Sequence, residues 1–241
     1  MSEFMHVSLR SRDRDRTSEW YCKNLGFEER RRGATAIGTQ IAILVLPGNN
    51  THIEVSDRVR RGRDFKIPEE AIQLQFTVGD MRETYERLSR NGAKITEGGP
   101  DSECIYVEDV DGYEVELTRG EPGRFSALGI RVSDLDRSAK FYSENFGFHE
   151  IRRSTSPRGT NVALLELPGN NTRLALRHMP YLTTPIEIPE DLMHMAFPTE
   201  EMLGFRELMA QRGVRLEPEG ERMAWVLDPD GYELEIVERT S

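Results

Sequence analysis

PGNNTHIEV, Pro47 to Val55, and PGNNTRLAL, Pro168 to Leu176, write one loop twice and follow it with different charges. After the first copy the chain carries His52 and Glu54; after the second it carries Arg173 and Ala175. The loop belongs to a larger repeat. At an offset of 121 residues Arg10, Asp13, Tyr21, Gly26 and Phe27 reappear as Arg131, Asp134, Tyr142, Gly147 and Phe148. The register runs through PGNNT to IPE at Ile67 and Ile188. It then shortens by two residues near Gly98, so that DGYEVEL at Asp111 meets DGYELEI at Asp230. Self-similarity of this extent marks a duplicated domain, 1–120 and 125–241, with the join near Gly120 to Arg124.

Each half divides again by element order. A short apolar strand (MHVSL, AIQLQFTV, ALGIRV or LMHMAF) precedes an amphipathic helix that closes on Gly26, Gly92, Gly147 or Gly213. Glycine suits that place because it accepts the left-handed conformation that ends a helix. Three short strands follow, separated by turn signals such as PGNN, GGPD and DPDG. The expected fold class is α+β, with four βαβββ modules at roughly 1–57, 70–119, 126–178 and 191–240.

Composition narrows the function classes. The chain has 241 residues, 37% of them hydrophobic, and no apolar run long enough to cross a bilayer. The opening MSEFMHVSLRSR lacks the apolar segment of a secretion signal. Cys22 and Cys104 read as free thiols, so the expected compartment is the cytoplasm. A net charge of −10 argues against nucleic-acid and anionic-membrane partners. The run from Arg58 to Arg63 reads as a solvated loop.

His6-Val-Ser-Leu-Arg10, followed by Asp13, Arg16, Tyr21 and the LGF triplet, resembles the opening strand and helix of the glyoxalase I family. That family belongs to the vicinal-oxygen-chelate superfamily, with the bleomycin-resistance proteins and the extradiol dioxygenases. The likeness covers nearly the whole chain, twice. It implies that paired modules curl into open barrels of mixed sheet, with metal ligands on the first and last strand of each module. The positions matching those ligands are His6 and Glu54, Gln73 and Glu116, Ala127 and Ala175, and His194 and Glu235. Two pairings are open. If the first and fourth modules share a barrel, its site is His6, Glu54, His194 and Glu235, and the other barrel is vestigial. If consecutive modules pair, the ligands divide between barrels and His194 has no purpose. The exchanged pairing is the expectation.

The resemblance further implies one divalent ion, with Zn, Ni, Co, Mn and Fe all compatible with two imidazoles and two carboxylates. Such an ion polarises a carbonyl, and a carboxylate beside it removes the neighbouring proton. Glu235 is the expected base and Glu54 the second choice. The expected activity is that of a lyase or isomerase acting on a small α-oxygenated carbonyl compound. Arg10, Ser8 and Trp225 are expected at the substrate, and the chain is expected to be a monomer or homodimer. Arg131 repeats Arg10 in the metal-poor half, which equally suits a structural arginine. His52 lies on the face of Glu54, by strand alternation, as a solvated or acid–base residue. His149 and His178 read as surface residues. Two alternatives remain: an Fe(II) extradiol dioxygenase using His6, His194 and Glu235, and a metal-free small-molecule binder of the bleomycin-resistance type.

Overall fold

The computed structural model describes residues 3–35, 38–57 and 64–239; the arginines from 58 to 63 lie outside that set. The first module comprises β1 (His6–Ser11), α1 (Arg14–Leu25), β2 (Glu28–Ala34), β3 (Gln40–Val45) and β4 (His52–Asp57). The second comprises β5 (Ile72–Val78), α2 (Met81–Arg90), β6 (Lys94–Glu97), β7 (Cys104–Glu108) and β8 (Glu114–Arg119). The third comprises β9 (Arg124–Arg131), α3 (Leu135–Phe146), β10 (His149–Thr155), β11 (Asn161–Glu166) and β12 (Arg173–His178). The fourth comprises β13 (Met193–Thr199), α4 (Met202–Gln211), β14 (Leu216–Glu219), β15 (Met223–Leu227) and β16 (Glu233–Glu238). The third module begins slightly earlier than the sequence pattern implies, because Arg124 and Phe125 extend the ladder against Thr77 and Phe76.

The repeated residues make the same local structures. Asp13 accepts the backbone N–H groups of Asp15 and Arg16 at the start of α1, and Asp134 accepts that of Arg137 at the start of α3. Such caps satisfy donors that have no partner within the helix. Gly26 and Gly147 end these helices at φ +78°. The other two helices end on Asn91 and Arg212, with Gly92 and Gly213 one residue beyond.

The eight-stranded sheets do not follow the two halves of the sequence. One runs β14-β15-β16-β13-β1-β4-β3-β2 and joins the fourth module to the first. The other runs β10-β11-β12-β9-β5-β8-β7-β6 and joins the third to the second. In each, two opening strands pair antiparallel at the centre, and each is flanked by its own module's last strand in parallel. Stacked rings close both seams: Phe4 on Phe197 with centroids 5.3 Å apart, and Phe76 on Phe125 at 4.9 Å.

The duplicated loops meet each other. Asn50 donates from Nδ2 to the Gly169 carbonyl at 2.6 Å, and Asn171 donates to the Gly48 carbonyl at 2.7 Å. Each asparagine Oδ1 also accepts the other's backbone N–H, at 3.1 and 3.2 Å. Asn170 and Asn49 then receive the N–H groups of Phe4 and Phe125. PGNNT is thus more than a strand connection: its two copies clasp the first module to the third.

The DGY segments have a similar role. The Tyr113 hydroxyl reaches the carbonyls of Arg10 and Leu192, at 3.0 and 2.9 Å. The Tyr232 hydroxyl reaches those of Ala71 and Arg131, at 2.8 and 3.1 Å. Each tyrosine bridges the paired opening strands of the opposite sheet with one hydroxyl proton shared between two carbonyls, of which Leu192 and Ala71 also accept the backbone N–H groups of Arg10 and Arg131.

Candidate metal centre

His6, Glu54, His194 and Glu235 come from β1, β4, β13 and β16, which are four adjacent strands. Side chains alternate across a strand, so His6 and Ser8 share one face while Val7 and Leu9 fill the core behind them. Register does the rest. Ser8 lies opposite both His194 and Glu54, and Ala196 lies opposite both His6 and Glu235. Small residues at the two crossing points leave the space between the larger side chains open.

The two imidazoles face each other with Nε2 atoms 3.2 Å apart, although 188 residues separate them. Glu235 Oε2 lies 3.5 Å from each of those nitrogens. Donor atoms of His6, Glu54 and His194 all lie within 4.8 Å of one another, the one such convergence of three or more potential ligands among the described residues. Burial, with His194 next in weight, pushes the His6 pKa down to about 3, against the opposing pull of Glu235. His6 is therefore neutral near pH 7 and keeps a lone pair to donate, as metal binding requires. Two facing imidazole nitrogens beside two carboxylates fit a divalent cation.

The surrounding side chains divide by contact. The Ser8 hydroxyl donates to Glu54 Oε1 at 3.0 Å. Trp225 sets its ring edge-on to His194, centroids 5.1 Å apart, and donates from Nε1 to Glu219 at 2.5 Å. Arg10 is buried, with its guanidinium carbon 5.1 Å from the Phe65 ring centroid. Its repeat partner Arg131 is structural, donating to the carbonyls of Glu69, Leu182 and Thr184. His52 is half-buried opposite His6, with an unpartnered buried Nδ1 and a pKa lowered by burial, so it is not the solvated residue that strand position alone suggests. His149 is exposed and His178 half-exposed.

In the second sheet the matching positions are Gln73, Ala127, Ala175 and Glu116, and no imidazole stands among them. Gln73 donates to Glu114, and Gln75 donates to Gln73 and Glu116.

This duplicated four-module architecture, with histidines and carboxylates on its central strands, defines a class. The sequence model of the Glyoxalase/Bleomycin resistance protein/Dioxygenase superfamily matches residues 3–117 and again 124–236, and the chain belongs to that superfamily. It is 25% identical to a probable chloroplastic lactoylglutathione lyase of Arabidopsis thaliana, over 97% of this chain and 72% of that one. A second Arabidopsis lactoylglutathione lyase is 30% identical over 64% of this chain and 58% of its own length. The crystal structure of glyoxalase I from Zea mays superposes with a TM-score of 0.82 at 23% identity, covering 99% of this chain and 92% of that one. That likeness speaks for the shared fold. No helix among the described residues is long and apolar enough to cross a membrane.

Proposed function

We propose that the protein is a metal-dependent lyase or isomerase of the glyoxalase I type, acting on a small α-oxygenated carbonyl compound at one centre shared by the first and fourth modules. The carrying observation is the convergence of His6, Glu54 and His194, with Glu235 beside both imidazoles. The names of the Arabidopsis relatives support lactoylglutathione chemistry as the first to try. Residues 1–120 and 125–241 are then units of duplication, and each barrel takes one module from each. The free Cys22 and Cys104 support a reducing compartment.

His6, Glu54, His194 and Glu235 would hold one divalent ion. Such an ion, when bound, polarises a substrate carbonyl and makes the neighbouring C–H more acidic. Ser8 ties one oxygen of Glu54 and keeps that carboxylate in its ligand position. Glu235 has the proton-transfer role: its carboxylate takes the proton from the carbon beside the carbonyl and returns it to the adjacent carbon. Trp225 and Arg10 border the substrate, and Ser8 acts through Glu54.

Protein stripped with a chelator and reloaded with single divalent ions tests the reading. Formation of lactoylglutathione from glutathione and methylglyoxal, present with metal and absent without it, supports it. Catechol ring cleavage after anaerobic iron loading would move the assignment to the dioxygenases. Tight ligand binding with no metal uptake would move it to the sequestering proteins.

A further inference from the structure

The second barrel encloses a cavity of about 740 Å³, within the range of small-molecule sites. Its making can be read by comparison with the first barrel. Ala127 and Ala175 stand where His6 and Glu54 stand, and Gly129 stands where Ser8 stands. Of these three small residues Ala175 lines the cavity itself. Arg177 enters in place of Ser56, and Gly129 makes room for it: a Cβ there would lie 3.0 Å from Arg177 Cδ.

The charges of this floor do not balance. Glu70 takes Arg177 in a 2.7 Å ion pair, and at the rim Glu97 takes Arg158 at 2.6 Å. Arg152 stands exposed at the mouth. Glu114 accepts from the Gln73 amide at 2.5 Å and Glu116 from the Gln75 amide at 3.3 Å. Burial raises both carboxyls above the usual range against the opposing pull of Arg177, which Glu70 already holds in its ion pair; the charge of Glu70 adds to the rise at Glu114 and that of Glu114 to the rise at Glu116. A buried carboxylate is costly without a cation or several donors. Leu164 and Val162 of β11, in register with Ala175 and Arg177, form an apolar strip beside the polar Ser154 and Thr160. Cys104, pushed up to about 11 chiefly by burial, is held as a thiol and brings no thiolate chemistry.

We propose that the second barrel binds a small organic cation, a primary ammonium on an apolar or aromatic body, with the ammonium between Glu114 and Glu116 and the body against Val162 and Leu164. An ammonium brings three donors and a positive charge to a floor rich in acceptors. The site is separate from the metal centre and does not depend on the activity proposed for it.

Methyl NMR on protein labelled with ¹³C at its alanine methyls tests the site, because Ala175 lines this cavity and Ala196 lies beside His6 and Glu235. The probes are phenethylamine, 3-phenylpropanoate and 2-phenylethanol, alike in body and different in charge. Phenethylamine should shift the Ala175 methyl saturably and leave Ala196 unmoved, with the other two binding at least tenfold more weakly. Glu116→Gln preserves shape and should weaken phenethylamine about tenfold, the loss of one charge-assisted contact. Arg177→Gln removes a repelling charge and should tighten it. The remaining alanine methyl shifts report whether each variant is folded, and Glu114→Gln replaces Glu116→Gln if that variant is not. Preferential binding of 3-phenylpropanoate, abolished by Arg177→Gln, would overturn the proposal in favour of an anion site. Failure of all three probes to move Ala175 would overturn it altogether.

Discussion

Asn50 and Asn171 hold each other: each Oδ1 accepts the other's backbone N–H, and each amide donates to the glycine carbonyl of the opposite loop. This reciprocal clasp explains why PGNNT is kept in both halves while the residues after it diverge. The loop serves the joint between modules, and the strand after it serves whichever barrel it enters.

Because the clasp is shared, its loss should be non-additive. Asn50→Ala and Asn171→Ala should each cost about 1–3 kcal/mol in urea unfolding, with the double variant well short of the sum. Additive costs would show that the two loops act independently.

Tyr113 serves two buried carbonyls with one hydroxyl. Tyr113→Phe removes that shared proton while Leu192 keeps the Arg10 N–H, and should destabilise the protein by about 0.5–1.5 kcal/mol. Tyr232→Phe should behave alike, although its carbonyls belong to the sheet whose ligand-matching positions lack histidine. A thermal or urea midpoint unchanged in both variants would contradict the bridging role.

Glu235→Gln retains an oxygen at the site and removes the proton acceptor. Metal content should largely persist while turnover on a confirmed substrate falls by roughly 10²–10⁴, the range for a positioned base. Ser8→Ala loosens Glu54 and should lower metal affinity more than it lowers turnover of the loaded protein. Unchanged turnover in Glu235→Gln assigns the base elsewhere.

The metal-free protein should weaken in acid through His6. Its folded pKa, about 3, lies below the ordinary 6.5, so between those values the unfolded chain binds a proton that the folded chain refuses. The His6 contribution is complete above about pH 6.5 and declines as pH falls toward 3, at up to about 1.4 kcal/mol per pH unit for one proton. His6→Gln should remove that part of the slope. An identical pH profile in this variant and the parent would show that burial does not suppress protonation of His6.

Much of this was legible in the sequence because repetition and difference carry separate information. Residues common to both halves, such as Asp13 with Asp134 and Tyr113 with Tyr232, make caps and bridges that every module needs. Residues that differ, such as Glu54 with Ala175, mark where the two barrels part. The four-module order followed from the repeat, and the resemblance to the glyoxalase family implied the barrels and the ligand positions that those contrasts sort between them. What escaped were contacts between segments distant in the chain. Nothing local to PGNNT says that the loops bond to each other, and nothing near Ser8 says that its hydroxyl holds Glu54. Arg177 replaces a serine at a position outside the expected ligand set, so its entry into the second cavity became visible only once Gly129 was seen beside it.

The central claim is that both ends of the sequence build one metal centre. Metal analysis of the parent, His6→Ala, His194→Ala and the double variant, after equal dialysis against a weak chelator, tests it most directly. The account predicts one divalent ion per parent chain, an emptied site in each single variant, and little further loss in the double variant. Full occupancy in either single variant would contradict a shared centre.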